Sequence, residues 1–389
     1  MKKIFVSAFL LAIVASCSQL KEKNDVRTID VEGDYPKKDY VLQEIADVEY
    51  VKLESNDEFV TNGIVKSVGE NIIVTVNGGV DGNIFLFDRT TGKALRKINK
   101  KGEGGGYYTM ANEIVLDEKN KELFVVDYPA RKIFVYNMQG EYKRHFPFVD
   151  ESYYKFTYDY SQENLMTYKH YPPFDESEKS AHALISKADG SIVQEIGIPV
   201  GGIATPVFMG MHEKYGEITM GPSYYLTAPT AGGWLLSRPS CDTLYCYSED
   251  GRVPFLVRTP SIHSMKSQVF LYPTVKLGNC IFMYTQKKEV DMNTLKGFPT
   301  EELVYDEVTG EVYRSSVYND DIIEGGGISF VTEPLNEKIV ACLPYDAAHL
   351  LELLHEGKLR GDLKRTAETL EEEDNPVLML VKNRDKSYK

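Results

Sequence analysis

Histidines are the residues of this chain that could most readily hold a metal or take part in catalysis. Six of the seven lie in or beside long polar stretches. Imidazoles brought together from separate segments can hold a catalytic metal. None is spaced from a second ligand as metal-binding motifs require, so the sequence predicts no metal and no cofactor. The seventh, His145, is expected to be packed or at a rim. The six are His170, His182, His212, His263, His349 and His355.

Other arrangements that could do chemistry give weaker signals. No Ser-His-Asp or Cys-His set stands at a recognisable motif. The glycine cluster at 102–106 could cradle a phosphate, but no Lys-Ser/Thr follows it and it opens no helix. A tight crossing between structural units is therefore favoured there. Asp127 and Arg131 could meet a ligand, although a structural ion pair that pins a loop is the favoured interpretation.

Aromatic side chains give the best positive indication of binding. Several lie in or near the long polar stretches, among them Phe174, Tyr224 and Tyr225. Such rings stack on sugars or anchor protein partners, but they also wedge between packed sheets, and the sequence leaves both open. The candidate ligand-binding residues are Tyr107, Tyr108, Arg131, His170, Tyr171, His182 and Trp234.

A repeated phrase indicates the elements that must position these residues. An apolar strand, a small polar turn and a glycine recur five times, as in Ile133–Asn137 followed by Gly140. The closing glycines are 48 to 61 residues apart, and repeats of this length built from short strands are typical of β-propeller blades. They are Gly92, Gly140, Gly190, Gly251 and Gly310.

The repeats predict an all-β, six-bladed β-propeller that occupies residues 41–389 as a single domain. Four short strands per unit place five blades at 62–99, 112–146, 151–198, 205–258 and 268–316. Beyond them, strands at 328–331, 338–343 and 377–381 surround a helical insertion at about 346–373. The N-terminal strand Asp47–Leu53 can complete this last blade, close the ring and remove an exposed sheet edge.

The N-terminus has the pattern of a lipoprotein signal. Residues 1–16 carry Lys2 and Lys3 before an apolar run that is too short to span a bilayer. Val14–Cys17 resembles a bacterial lipobox, which implies a lipid on Cys17 and a linker over 17–40. We therefore expect a cell-envelope, outer-membrane lipoprotein, facing either the periplasm or the exterior, with the lipid as its membrane anchor.

The net charge limits the kinds of partner that the chain can bind, and the cysteine count limits its disulfides. The formal net charge of −14 becomes −16 once residues 1–16 and their two lysines are removed. A chain this acidic repels polyanions, so nucleic acid is not an expected partner. Beyond Cys17, four cysteines remain, and a Cys280–Cys342 bridge is left open.

Several phrases, in order along the chain, resemble the six-bladed β-propeller lipoproteins of Bacteroidota, distant relatives of NHL-repeat proteins. The resemblance implies the fold and an envelope location but no chemistry, although NHL-type lyases hold a metal with histidines from several blades. Gly105 and Tyr107 depart from the proline and glutamate of the family's glycine-rich loop. The phrases are Gly102–Tyr108, Asp127 with Arg131, Ile133 and Asn137, Cys241–Tyr245, Asn319–Asp320 with Gly325–Gly327, and Asp374–Met379.

Loop lengths predict which face of the disc carries function. Long loops on a rigid scaffold are where binding concentrates, so we expect a site on the long-loop face, over the central channel. The expected function is a binding or scaffold module for a glycan, peptide or protein partner. The alternative is a propeller-type enzyme, either a metal-dependent lyase or lactonase or a glycan-active enzyme. The long segments are 100–110, 170–181, 199–214, 286–301, 317–327 and 344–375.

Overall fold

The computed structural model describes residues 26–78, 81–171 and 176–384. The signal peptide at 1–16, Cys17 and Phe174 lie outside the described residues. Within them, β-strands alternate with short turns as the repeated phrase predicts, and the strands form six blades around a central channel. The predicted six-bladed β-propeller is confirmed.

The chain begins at the rim of the disc and then enters the blades. The first elements are β1 (Arg27–Asp30), β2 (Lys37–Val41), α1 (Leu42–Ile45) and β3 (Asp47–Lys52). Blade 1 contains β4 (Ile64–Val68), β5 (Ile72–Val76), β6 (Asn83–Asp88) and β7 (Ala94–Asn99). Blade 2 contains β8 (Glu113–Asp117), β9 (Glu122–Asp127), β10 (Lys132–Asn137) and β11 (Tyr142–Pro147). Blade 3 contains β12 (Tyr153–Asp159), β13 (Asn164–His170), β14 (Ala181–Ser186) and β15 (Ile192–Ile196).

Blades 4 and 5 carry extra hairpins in their long connections. A hairpin of β16 (Phe208–His212) and β17 (Gly216–Met220) precedes blade 4, which contains β18 (Thr227–Thr230), β19 (Gly233–Leu236), β20 (Thr243–Ser248) and β21 (Gly251–Thr259). Blade 5 contains β22 (Val269–Leu277), β23 (Cys280–Lys287), β26 (Thr300–Asp306) and β27 (Val312–Tyr318). Its hairpin is β24 (Val290–Asp291) with β25 (Lys296–Gly297), and β28 (Gly327–Ile328) follows the blade.

Blade 6 is formed by β29 (Ile339–Tyr345), β30 (Val377–Lys382) and β3, in the order β29-β30-β3. The prediction of a blade 6 strand at 328–331 is wrong, because Ile328 pairs with Val317 of blade 5 instead. The innermost position holds an irregular segment that turns back onto β29, with Leu335 N donating to Val340 O at 3.2 Å. The irregular backbone leaves Glu333 and Asn336 facing the channel.

Ring closure by the N-terminal strand is confirmed. β3 pairs antiparallel with β30 along its whole length, from Asp47 opposite Lys382 to Lys52 opposite Val377. Val51 and Leu53 then join one hydrophobic cluster with Phe85 and Phe87 of blade 1 and Leu378 of blade 6. The first and last parts of the chain therefore share one core.

The predicted linker at 17–40 is too long. β1 pairs in parallel with β21 of blade 4, and β2 pairs in parallel with β27 of blade 5. Residues 27–45, which we name the N-terminal strap, thus cover the outer edges of two blades. These strands have four and five residues, and their hydrogen-bond partners lie more than 200 positions away. Such short strands with distant partners give no clear periodic pattern in the sequence, so they were not predicted.

The helical insertion lies between β29 and β30, as predicted. It contains α2 (Ala347–His355) and α3 (Gly361–Ala367). The Asp346 carboxylate caps α2 by accepting from His349 N at 3.0 Å, and Leu350 and Leu363 are fully buried between the two helices. No helix in the described ranges is long and apolar enough to cross a membrane. The cysteines at 241, 246, 280 and 342 are all free thiols.

We predict that the closing strand contributes far more to stability than the strap. A chain beginning at Leu42 keeps β3 and should unfold cooperatively in urea, at a lower midpoint because two blade edges are exposed. A chain beginning at Glu54 loses the outer strand of blade 6 and should show no cooperative transition. Urea unfolding followed by circular dichroism measures both, and equal midpoints would contradict the closure argument.

Candidate functional site

The main cavity of the described structure opens at the end of the disc that carries the short turns. Its volume is about 1270 Å³. Turns between the first and second strands of blades 1 to 4 surround it, at 69–71, 118–119, 161 and 232, together with residues 336–338 before β29 in blade 6. The expected position was the opposite, long-loop face. The residues that line this mouth belong mainly to short turns and to the strands beside them.

An aromatic wall lines one side of the cavity. Trp234, the single tryptophan of the chain, is partly exposed at the start of β19. Its ring centroid lies 5.6 Å from that of Tyr158 and 5.8 Å from that of Tyr160. Tyr247 of the neighbouring strand continues the cluster, 6.2 Å from Tyr160. The wall thus joins the inner strand of blade 3 to blade 4, with the indole facing the cavity.

Three charged residues form the waist of the channel. Lys66, Glu113 and Glu333 line both the main cavity and a smaller chamber of about 340 Å³ toward the long connections. Lys66 Nζ lies 3.4 Å from Glu333 Oε2, which joins blades 1 and 6. Burial raises the pKa of the Glu333 carboxyl, and Lys66 opposes that rise. Burial first, and then the Glu333 charge, raise the pKa of Tyr225 in the smaller chamber to about 12.

Glu113 holds a strained bulge in the neighbouring blade. Its two carboxylate oxygens accept from the backbone N–H groups of Phe156 and Thr157 at 2.9 and 3.0 Å, and the Tyr128 hydroxyl donates to it as well. Phe156 has a φ of 55°, in the left-handed region that a bulky residue rarely adopts. The register of β12 shifts there, so the bulge turns the Phe156 ring into the smaller chamber.

Three of the predicted ligand-binding residues are buried in the fold. Tyr108 is fully buried, and its hydroxyl donates to Gly82 O at 2.6 Å. His182 is also fully buried, with Nε2 at 3.1 Å from Thr227 Oγ1. His170 is 6% exposed and packs 5.6 Å from the Tyr153 ring. None of these side chains faces the main cavity.

The expected ion pair between Asp127 and Arg131 is wrong. Asp127 accepts from Thr109 N at 2.6 Å and from Ala130 N at 3.1 Å, which ties the glycine-rich crossing to blade 2. The Arg131 guanidinium donates to Asp150 O at 2.7 Å and lies over the Tyr153 ring. Arg131 N donates to Tyr128 O in a tight turn with a φ of 52° at Arg131, and its side chain bonds the blade 3 loop.

The remaining candidates lie at different ends of the disc. Tyr107 is 48% exposed in the glycine-rich crossing, and Tyr171 lies 5.9 Å from Lys179 Nζ. Both belong to long connections, whereas Trp234 lines the short-turn cavity. The described histidines are spread over several blades and the helical insertion, and no group of three or more metal-ligating residues occurs in the ranges the structure covers.

The sequence reasoning missed Glu113, Tyr158, Tyr160 and Glu333. A usable signal was present for the tyrosines, because residues 153–160 read as the first strand of blade 3 and first strands line the channel. Glu333 has no such signal, since its position depends on the irregular inner segment of blade 6.

Comparison with known proteins places this arrangement in a family. The profile of a family described as a domain of unknown function, DUF4934, matches residues 26–382, which span the strap and all six blades. The chain belongs to the DUF4934 family. No curated protein is significantly similar to its sequence.

Two solved structures from Bacteroides species are similar to this DUF4934 chain. A putative exported protein from Bacteroides fragilis has a TM-score of 0.53 and 14% sequence identity, over 90% of this chain and 100% of that one. A member of the DUF4221 family from Bacteroides vulgatus has a TM-score of 0.44 and 9% identity, over 87% of this chain and 97% of that one. At 14% identity, the similarity to the Bacteroides fragilis structure shows the fold alone.

The burial of His182 predicts a pH-dependent loss of stability. Burial lowers the pKa of His182 from 6.5 to about 3, so the folded protein holds it neutral while the unfolded chain protonates it below pH 6.5. Stability from this residue is present above pH 6.5 and falls by about 1.4 kcal/mol per pH unit below it. Urea unfolding at about pH 7.5 and pH 5 should show a smaller difference for His182→Gln than for the parent. An equal difference would contradict the assignment.

Proposed function

We propose that this DUF4934 protein is a non-catalytic binding module that takes its ligand into the short-turn cavity. The observation that carries the proposal is the partly exposed Trp234 indole in the wall of a cavity of about 1270 Å³. Ligand pockets are concave and lined by aromatic side chains with a few placed polar groups. Trp and Tyr are also the residues that most often dominate binding energy.

Links between blades 2 and 3 hold the blade 3 side of the cavity in place. Asn120 Nδ2, in the first turn of blade 2, donates to Gln162 O in the corresponding turn of blade 3 at 3.1 Å. Behind the aromatic wall, Lys187 Nζ bridges Asp117 and Asp159 at 2.5 and 2.6 Å. Such links between blades fix the cavity before the ligand arrives, which lowers the entropic cost of binding.

Binding is favoured over catalysis by the state of the channel carboxylates. Glu113 is committed to two backbone N–H groups and a tyrosine hydroxyl, and Glu333 is paired with Lys66. The described histidines lie apart, so they give no support to a metal-dependent lyase or lactonase. The acidic balance of the chain opposes a nucleic-acid ligand.

We place the protein at the cell envelope, with a lipid on Cys17 as its anchor. The lipobox-like Val14–Cys17 supports this, and the similar Bacteroides fragilis structure is described as a putative exported protein. The strap begins at Arg27 on the rim of blade 4. Ten residues from Cys17 to Val26 span at most about 35 Å, so the rim of blade 4 would lie nearest the membrane.

Substitution of Trp234 tests the binding proposal. A thermal-shift panel of neutral oligosaccharides and of acidic, neutral and basic peptides identifies a ligand, whose affinity is then measured by calorimetry. Trp234→Ala should weaken that affinity about tenfold or more, because an aromatic anchor contributes at least ~1.4 kcal/mol. Trp234→Phe keeps a ring and should retain most of the affinity, which separates binding from folding.

Tyr107→Ala is the matched control, since it removes an exposed aromatic ring at the opposite end of the disc. It should leave the affinity unchanged. Loss of affinity on Tyr107→Ala with none on Trp234→Ala would move the site to the long-loop face. A panel with no ligand at all would refute the binding proposal.

Removal of the lipid-bearing cysteine tests the location. Cys17→Ala should abolish fatty-acid labelling and move the protein from the membrane fraction to the soluble fraction. Cys241→Ala, which changes a thiol within blade 4, should alter neither. A Cys17→Ala protein that still labels and stays with membranes would contradict lipidation at this residue.

A further inference from the structure

The lining of the short-turn cavity has an excess of negative charge. It contains eight acidic and five basic residues. Four of the five basic residues are already bound to carboxylates: Lys66 to Glu333, Arg89 and Lys382 to Glu49, and Lys338 to Glu70. The cations of the wall are therefore largely neutralised, and an anionic ligand would meet net repulsion.

Carboxylates remain beside the aromatic wall. Glu249 and Asp250 form the turn between β20 and β21, and both line the cavity. Trp234 pairs in register with Tyr247, two residues before Glu249. On the blade 2 side, Glu118 is held in place by the backbone N–H groups of Glu70 and Asn71, at 2.7 and 3.0 Å. Negatively charged turns of blades 2 and 4 thus line the same cavity as the indole.

Building on the proposed binding function, we propose that the ligand is a cationic peptide segment that places a lysine or arginine side chain on Trp234 and Tyr160, with Glu249 and Asp250 beside it. Aromatic faces attract cations through their ring quadrupole, most strongly at tryptophan. The carboxylates of the acidic turns also attract cations. Both observations therefore select the same ligand chemistry.

The charge excess decides between a peptide and a neutral glycan. A neutral sugar also stacks on tryptophan, but covering these carboxylates with it removes water without supplying a countercharge. A lysine or arginine supplies that charge. The cavity also exceeds the roughly 300–1,000 Å³ typical of small-molecule pockets, so it has room for several residues of a chain.

The test uses the full mature protein and a blocked Lys–Gly–Arg–Gly–Lys peptide, with Trp234 as the only indole reporter. The peptide should change the Trp234 fluorescence, and its affinity should fall by about tenfold between about 50 and about 500 mM NaCl, as screening weakens the exposed charges. The Glu249→Gln/Asp250→Asn variant should bind about threefold to tenfold more weakly.

A second double variant, Glu372→Gln/Glu373→Gln, is the matched control. It changes the net charge by the same amount, but its residues lie exposed in the helical insertion at the other end of the disc. Its affinity for the peptide should equal that of the parent. Equal losses in both double variants would mean that overall charge, rather than the acidic turns, attracts the peptide, and would overturn the inference.

The outcomes separate this inference from the proposed function. If xylotetraose or an uncharged Ser–Gly peptide binds in a Trp234-dependent, salt-independent way while the basic peptide does not, the cavity is a binding site and the cationic ligand is wrong. Calorimetry measures the affinity of the basic peptide for the Trp234→Ala variant. An affinity equal to that of the parent would show that the short-turn cavity is not the site.

Discussion

The pairing of β3 with β30 is the constraint on which the rest of this structure depends. A propeller blade buries its faces only against its neighbours, so the disc needs an uninterrupted circle of blades. Six residue pairs fix β3 against β30, and Val51 and Leu53 pack into the blade 1 core. The central channel exists only because that circle closes, and its width follows from the number of blades.

Around this closed ring, polar links between blades shape the channel. Glu113 of blade 2 holds the bulge at Phe156 in blade 3, and Lys66 of blade 1 bonds Glu333 of blade 6. A partly buried carboxylate at such a position is costly unless donors surround it, and here backbone N–H groups or a lysine supply them. The three side chains of the waist are engaged in these links, and the short-turn cavity opens beside them. The proposed binding site rests on the acidic and aromatic lining of that mouth.

Much of the fold could be predicted from the sequence. The apolar strands before Gly92, Gly140 and the later turn glycines pair with strands next to them in the chain, so their pattern is visible locally. The strap could not be predicted, because β1 and β2 are short and take their partners from blades 4 and 5. The residues of the candidate site were also harder to predict from the sequence, because their positions depend on distant parts of the chain. Trp234 was a candidate, but the end of the disc at which it lies could not be predicted without knowing where β19 begins. Glu333 reaches the channel from irregular backbone, which has no sequence pattern. Tyr108 and His182 had the right chemistry in the sequence and are sealed in the core.

Hydrogen–deuterium exchange with the basic peptide bound tests most directly whether the short-turn mouth is the binding site. The account predicts slower exchange in the turns at 69–71, 118–120, 160–163 and 248–251, which surround the cavity. Exchange in the long connections at 102–108, 208–220 and 319–327 should be unchanged. Protection confined to those long connections, with the short turns unaffected, would contradict it.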